Sequence, residues 1–523
     1  MKTMGRQALA ACAGLLVSAA GYAVSYYVDV NYTGPGSGTS ADPYNTLTAA
    51  LAASNASHVG WSSVSNTIYV ADGTYRSSNV PGGLESFGAA GLAIAGASTS
   101  GTRIWGGYAG YNAGAGTFDW STRAPRSSVI DLTGANARAF YSNGTMDRSY
   151  DEVDGLTFSN ANNTLAGGAV NLGGGGYAAG ARITNCLFQN NVTTNDGGAA
   201  VVSGVYEAGM PYVRNSDFVN NKAANGGAVK LSYYFQYSDA EVTDCRFQGN
   251  EATTGSGGAL FVNGDYGNWS ATSSLVSRSV FTDNRAAVNG GAITLYSGAS
   301  HDIKQCIFDG NYAGGQGGAV GSAGGYWSGA FSVENSLIYN NTAGGAGGYA
   351  LWAAGVRGEA VYGLDVAYAT LAYNSGGIYS ASGNGESGTP QRNLRVRDSI
   401  LAFNTGTGIY ATLVPGTYAL LEYNDVFGNG TAYGGSAVAG TGSISVDPLF
   451  IDPVNGNFLL PLFGTLARGS ASNIGIYLDL VGTARPQWYY DMGALQSIPE
   501  PASGLLLLLA TTPLLRRRRH ARG

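Results

Sequence analysis

Side chains suited to acid–base chemistry are sparse in this chain, and they gather most densely at Asp244, Arg278 and Lys304, with Glu241 and Asp302 nearby. A carboxylate flanked by a guanidinium and an ammonium can act as a general base beside a charge-neutralising cation, which proton abstraction and glycosidic cleavage both require. The same mixed-sign set also composes an ordinary row of surface ion pairs, so the residues alone leave both readings open. Charged residues are only 11% of the 523, and the three histidines, His58, His301 and His520, are too few for a histidine-based metal site or triad. The residues imply no cofactor and no metal cluster, and leave calcium open.

Asp244, Arg278 and Lys304 lie 34 and 26 residues apart, so only an element recurring at about that interval can bring them together. Such an element is present. Asn185-Cys186-Leu187-Phe188-Gln189-Asn190-Asn191, followed by Gly197-Gly198-Ala199, returns at Ser216–Asn221, Cys245–Asn250, Ser279–Asn284, Cys306–Asn311 and, more loosely, Ser336–Asn341. The closing residues Asn191, Asn221, Asn250, Asn284, Asn311 and Asn341 continue into Asn374, Asn404 and Asn429, at spacings of 25 to 34 residues. A period of that size marks a solenoid.

Eight residues before each Asn stands an apolar residue (Ile183, Val213, Val242, Val276, Ile303) and three before it another (Phe188, Phe218, Phe247, Phe281, Phe308). Between them, five before the Asn, sit Cys186, Ser216, Cys245, Ser279, Cys306 and Ser336. Odd–even alternation of Val, Ile and Phe is a strand pattern. A helical repeat would have to tolerate several glycines per unit at about 1 kcal/mol each. Each unit is therefore one coil of an all-β, right-handed parallel β-helix, the hand following the bias of parallel crossovers. Equivalent positions then stack about 4.8 Å apart. The Asn column becomes a hydrogen-bonded ladder, and the Gly-Gly pair supplies positive φ at a second corner.

The Phe-x-x-Asn-like phrase combined with Gly-Gly-Ala resembles the repeat of polymorphic outer-membrane proteins and of the wider right-handed, pectate-lyase-like β-helix proteins of bacterial surfaces. That resemblance covers most of the chain and implies a fold and a cell-surface location more than an activity. β-Helix polysaccharide lyases and hydrolases carry rows of carboxylates, or an Arg or Lys base, on the outside of one sheet, and Asp244, Arg278 and Lys304 are the positions that could correspond.

Both ends read as targeting and capping segments. Residues 1–23, with Lys2 and Arg6, an apolar run from Ala8 to Ala20 and Gly21-Tyr22-Ala23, form a secretory signal. Residues 24–150 form an N-terminal cap and first coils, including a helix over Thr46 to Ala56 and a strand ending at Tyr75, because an open coil end exposes unpaired strand edges. Residues 151–430 are the regular stack, and 431–497 are terminal coils and a closing cap. In 498–523, Pro499-Glu500-Pro501, the apolar run Gly504 to Leu515 and Arg516, Arg517, Arg518 and Arg519 resemble a PEP-CTERM sorting signal. The resemblance implies an exosortase-type partner. Twelve residues rise only about 18 Å as a helix, short of a roughly 30 Å hydrocarbon core, so this segment is expected to engage the membrane only transiently.

Removing Lys2, Arg6, Arg516 to Arg519 and Arg522 takes the net charge from −6 to −13. That charge argues against a nucleic-acid partner. Aromatic residues follow the Gly-Gly-Ala strands, among them Tyr177, Tyr206, Tyr233, Tyr234, Tyr237, Tyr266, Trp269, Tyr296, Tyr326 and Trp327. They either cover loop backbone or form a ligand-facing strip, for which Tyr266, Trp269, Tyr326 and Trp327 are the candidates. Two function classes follow. One is an exported cell-surface, outer-membrane or extracellular protein, non-catalytic and polysaccharide-binding or adhesive. The other is a divergent polysaccharide lyase or glycoside hydrolase.

Overall fold

The computed structural model describes residues 23–57, 65–88, 90–95, 101–142, 151–173, 180–205, 210–234, 239–264, 273–297, 300–322, 330–356, 362–382, 392–413, 415, 417–486 and 489–497. The chain is a parallel β-solenoid. One coil of the regular stack contributes Arg182–Thr184 to a first sheet, Leu187–Gln189 to a second, Val192–Thr193 to a short one and Ala200–Val205 to a third. Among the described residues the second and third sheets each have twelve strands, running from Gly73–Arg76 to Asp425–Phe427 and from Leu92–Ala95 to Thr431–Gly435. The first sheet runs alongside from Ser25–Val28 to Tyr418–Glu422, with an antiparallel strand, Thr117–Arg123, on its side.

The columns expected from the repeat are in register. Ile183 pairs with Val213, Val213 with Val242 and Val242 with Val276 on the first sheet. On the second, the rings of Phe158, Phe188, Phe218, Phe247, Phe281 and Phe308 stack with centroids 4.7–5.1 Å apart, matching the strand spacing. Asn191, Asn221, Asn250, Asn284, Asn311 and Asn341 are fully buried, and each donates its Nδ2 to the Oδ1 of the next at 2.9–3.0 Å, the last to Asn374. The ladder continues through Asn404 to Asn429.

Two features differ from the sequence expectation. The two glycines of each pair have separate tasks. Gly197, Gly226, Gly257, Gly290 and Gly317 take positive φ, whereas Gly198, Gly227, Gly258 and Gly291 are needed for space, since a Cβ there would lie 2.0–2.1 Å from the carbonyl oxygen of the next coil's glycine. The column Asn185, Asn215, Asp244, Arg278 and Gln305 does not sit on a strand. It forms a left-handed corner with φ of 45–54° or, at Asp244, 55°, a conformation that short polar side chains tolerate best.

The helix Leu47–Ser57 buries Leu47, Ala50, Leu51 and Ser54 against the first coil. Its start is held by Glu85, whose buried carboxylate accepts the backbone N–H of Leu47 at 2.6 Å and of Thr48 at 3.0 Å, where the helix dipole favours negative charge. At the other end, the described residues of 447–497 form a strap that folds back along the outside of the second sheet instead of adding coils. Phe450, Phe458, Leu460, Ala467, Met492 and Ala494 cover Leu337, Tyr339, Ala372, Ile400 and Ala402. Gln305 and Asn335 donate to the carbonyls of Asp479 and Leu478, 174 and 143 residues away.

Candidate functional site

The first sheet's outer face carries a dense row of charge. The Arg123 guanidinium meets Asp154, which also accepts the Thr184 hydroxyl at 2.8 Å. Arg214 pairs with Glu241, Lys304 with Asp302 at 3.3 Å, and Arg395 with Asp365. Burial pushes the Glu241 carboxyl up, but hydrogen bonds from Arg214 and Thr243 outweigh it and hold the group below the usual range. Glu334 is pushed up by burial, a shift that Lys304 on the adjacent coil opposes.

Of the three candidate catalytic residues, Asp244 and Arg278 meet in a two-pronged ion pair, Nε to Oδ1 at 2.8 Å and the second prong to Oδ2 at 2.8 Å. Both side chains are about half exposed. An exposed pair of this kind contributes about 0–1 kcal/mol. Lys304 belongs to a different column, in register with Ser277 and Glu334 on the first sheet, while Asp244 and Arg278 lie at the corner. The first sheet also bears a cation–ring row in which Arg182 lies 5.1 Å and Arg214 4.2 Å from the Tyr212 ring centroid.

The third sheet's outer face carries a different chemistry. Trp352, Tyr379 and Tyr410 are in register on successive coils and partly exposed. Trp352 stacks on Tyr379 at 6.5 Å and 21°, and Tyr379 on Tyr410 at 5.6 Å and 16°. Buried Tyr349 braces the row from the side, 5.2 Å from Tyr379. Counting from the Asn ladder misses this column. Trp352 lies eleven residues after Asn341, but Tyr379 and Tyr410 lie five and six after Asn374 and Asn404, because the short sheet ends at Thr342–Ala343 and later coils cut the corner. Counting from the glycines just before Ile378 and Ile409 aligns Tyr379 with Tyr410, whereas Ala350 stands in that place before Leu351-Trp352.

Among the loop aromatics, Tyr233 is fully buried, its hydroxyl 3.4 Å from His301 Nδ1, which also lies 2.7 Å from the Ser274 hydroxyl. Tyr296 packs beside Phe261 at 5.7 Å. Tyr177, Tyr206, Tyr237, Tyr266, Trp269, Tyr326 and Trp327 lie outside the described residues, as do the leader through Tyr22, Pro499, Glu500, Pro501 and Arg516 to Arg519. Among the described residues, no group of three or more His, Cys, Asp or Glu side chains is placed to hold a metal ion.

No family model matches the chain, and no curated protein sequence does either. Among solved structures it is similar to pectate lyase Pel9A, with a TM-score of 0.40 and 17% identity over 92% of this chain and 98% of that one. It is also similar to the PL6 family alginate lyase AlyGC, with a TM-score of 0.38 and 12% identity over 84% of this chain and 55% of that one. The chain therefore spans about half the length of AlyGC. At these identities the likeness concerns coil architecture, and no residue role is carried across.

Proposed function

We propose that this is an exported surface or matrix solenoid that binds polysaccharide along its outer walls without cleaving it. The observation that carries this reading is the pairing of charge on the first sheet. Glu241, Asp302 and Asp365 each have a cation and Asp154 has both Arg123 and Thr184, so these carboxylates act as fixed hydrogen-bonding groups of the wall and not as free bases. A rigid wall of this kind loses little conformational freedom on binding a chain. Export through residues 1–23, and sorting of Pro499-Glu500-Pro501 and Arg516 to Arg519 by an exosortase-type partner, would place the solenoid at the cell surface or outside it.

A second reading, a divergent lyase or hydrolase, is favoured by one observation. Glu334, raised by burial, stands in register with Lys304. Incubating the protein with uronate-containing and neutral polysaccharides separates the two. Retention without new unsaturated or reducing ends supports binding. Release of such ends, abolished in Glu334→Gln, would establish an enzyme.

A further inference from the structure

Exposed apolar side chains gather on the strap. Among the described residues fifteen large apolar side chains are exposed, and nine of them lie in 447–497. One group surrounds Phe463, which is 87% exposed, with Val454 at 73% and Leu466 at 65%. Leu449 joins it, since a Cβ placed on Gly464 would lie 3.3 Å from Leu449 Cδ1. Leu449 takes a φ of 53°, uncommon for a leucine, and both it and Ile451 are exposed while Phe450 between them is buried. No charged residue interrupts 453–467. A patch of this kind marks a docking surface.

Its occupant is identified by the chain that leaves beside it. Ser497 is buried, and its hydroxyl donates to the Leu460 carbonyl at 2.8 Å, three residues before Phe463. Only 498–503 separate Ser497 from the apolar run 504–515, in which 505–509 are five consecutive leucines. That connection spans at most about 24 Å, so the run stays near the patch at an effective concentration on the order of millimolar. Charge selects the same occupant. Asp447 and Asp452 flank Leu449 and Ile451, and among the described residues neither is in an ion pair. Arg516 to Arg519 follow the apolar run directly. A second copy of the strap, or an anionic bilayer, would instead bring like charges together.

We propose that 504–515 fold back onto Leu449, Ile451, Phe463 and Leu466, with Arg516 to Arg519 beside Asp447 and Asp452, so that the strap shelters the tail until the membrane or the sorting enzyme takes it. The sheltering role rests on the export and sorting reading above, whereas the docking itself does not. The test is a cross-link in the full chain, made in a host without the sorting enzyme, carrying Cys12→Ser, Thr465→Cys and Ala510→Cys and treated with a short bismaleimide. Cys186, Cys245 and Cys306 are buried and stay unreactive while the protein is folded. Peptide mapping should find position 465 joined to position 510 within one chain. Adding Leu449→Ser and Leu466→Ser should lower the yield roughly tenfold, and adding Asp447→Lys and Asp452→Lys roughly threefold. Thermal melting identifies any variant that has lost its fold, and the parent cross-link decides the matter if one of them has. Phospholipid vesicles should reduce the cross-link as the tail moves into lipid. Absence of the cross-link from the folded chain, or a cross-link found only between two chains, would overturn the docking. A cross-link undiminished by vesicles would overturn the sheltering role. Retention by polysaccharide and export are measured separately, so the docking can fail while the binding reading stands.

Discussion

Asn250 and Asn284 are joined twice: the Asn250 side-chain Nδ2 donates to Asn284 Oδ1 at 2.9 Å, and the Asn250 backbone N–H donates to the same oxygen at 3.0 Å. Asn284 Nδ2 in turn reaches the Phe247 carbonyl at 3.0 Å. With its second Nδ2 bond, to Asn311 Oδ1 at 2.9 Å, one buried amide thus serves two side chains and two backbone groups, and it is repeated on each coil. Asn284→Ala leaves these groups without partners inside the wall. Each unsatisfied buried group costs about 1–3 kcal/mol, so a loss of roughly 3 kcal/mol or more is expected in denaturant titration, with hydrogen exchange accelerated first in the coils around Phe247 and Phe281. A loss under 1 kcal/mol would mean that the ladder is ornamental.

Gly258 and Gly82 should respond differently to the same substitution. A Cβ on Gly258 would sit 2.0 Å from the Gly291 carbonyl oxygen, backbone that cannot withdraw without parting two coils. At Gly82 nothing lies within 4 Å, and only its φ of 77° opposes a side chain. Gly82→Ala is expected to cost about 1–2 kcal/mol, whereas Gly258→Ala should cost several times more or prevent folding. Comparable melting temperatures for the two would refute the close coil contact.

The buried thiols Cys186, Cys245 and Cys306 are free, and burial pushes each up to about 12. Ser216 and Ser279 alternate with them, each accepting the backbone N–H of the preceding Cys at 3.1 Å. The Cys residues are therefore two coils apart, about 9.6 Å, beyond disulfide reach. Thiol labelling near neutral pH should modify these three residues only after denaturant is added. A disulfide among them in non-reducing peptide mapping would contradict the register.

The strap should loosen as pH rises. Desolvation pushes Asp398 up to about 6, against hydrogen bonds from the backbone and hydroxyl of Ser472 and the charges of Arg397 and Arg485. Asp425 is pushed up to about 7 by burial and by Asp447, against the Val446 N–H. The folded carboxyls keep their protons to higher pH than an unfolded chain does, so their contribution is complete below about pH 4 and is lost as pH climbs through 6 to 7. For Asp398 the shift corresponds to about 3 kcal/mol. Proteolysis within residues 447–497 should be faster at pH 8 than at pH 4.5 when followed by hydrogen exchange or with proteases matched for activity, and Asp398→Asn should flatten the difference. Protection that rises with pH would reverse the assignment.

The strap and the wall also mark how far the residues alone could be read. The solenoid, the Asn ladder, the Phe stack and the inward Cys/Ser column are all legible in the sequence, because a coil repeats its contacts at a fixed interval and each column is a period that can be counted. The corner positions of Asp244 and Arg278 are less so. Asn, Asp, Gln and Arg there share a backbone conformation and not a pattern of polarity, so they look like outward strand residues. The Trp352–Tyr379–Tyr410 row is hidden because its spacing from the ladder changes where the short sheet ends.

What the tertiary structure alone decided is the meeting of residues with no common period. Arg485 reaches Asn335 Oδ1 at 3.0 Å and lies 4.0 Å from the Tyr368 ring centroid, contacts across 150 and 117 residues that no repeat announces. The outward residues Leu337, Ala372 and Ile400 become apolar where the strap covers them, a shift visible in the sequence but interpretable only once its cover is known. Local pairing follows from the backbone and a recurring side chain, and can be read along the chain. The strap's position follows from the fit of one irregular surface to another, which the chain acquires only when the coil is complete.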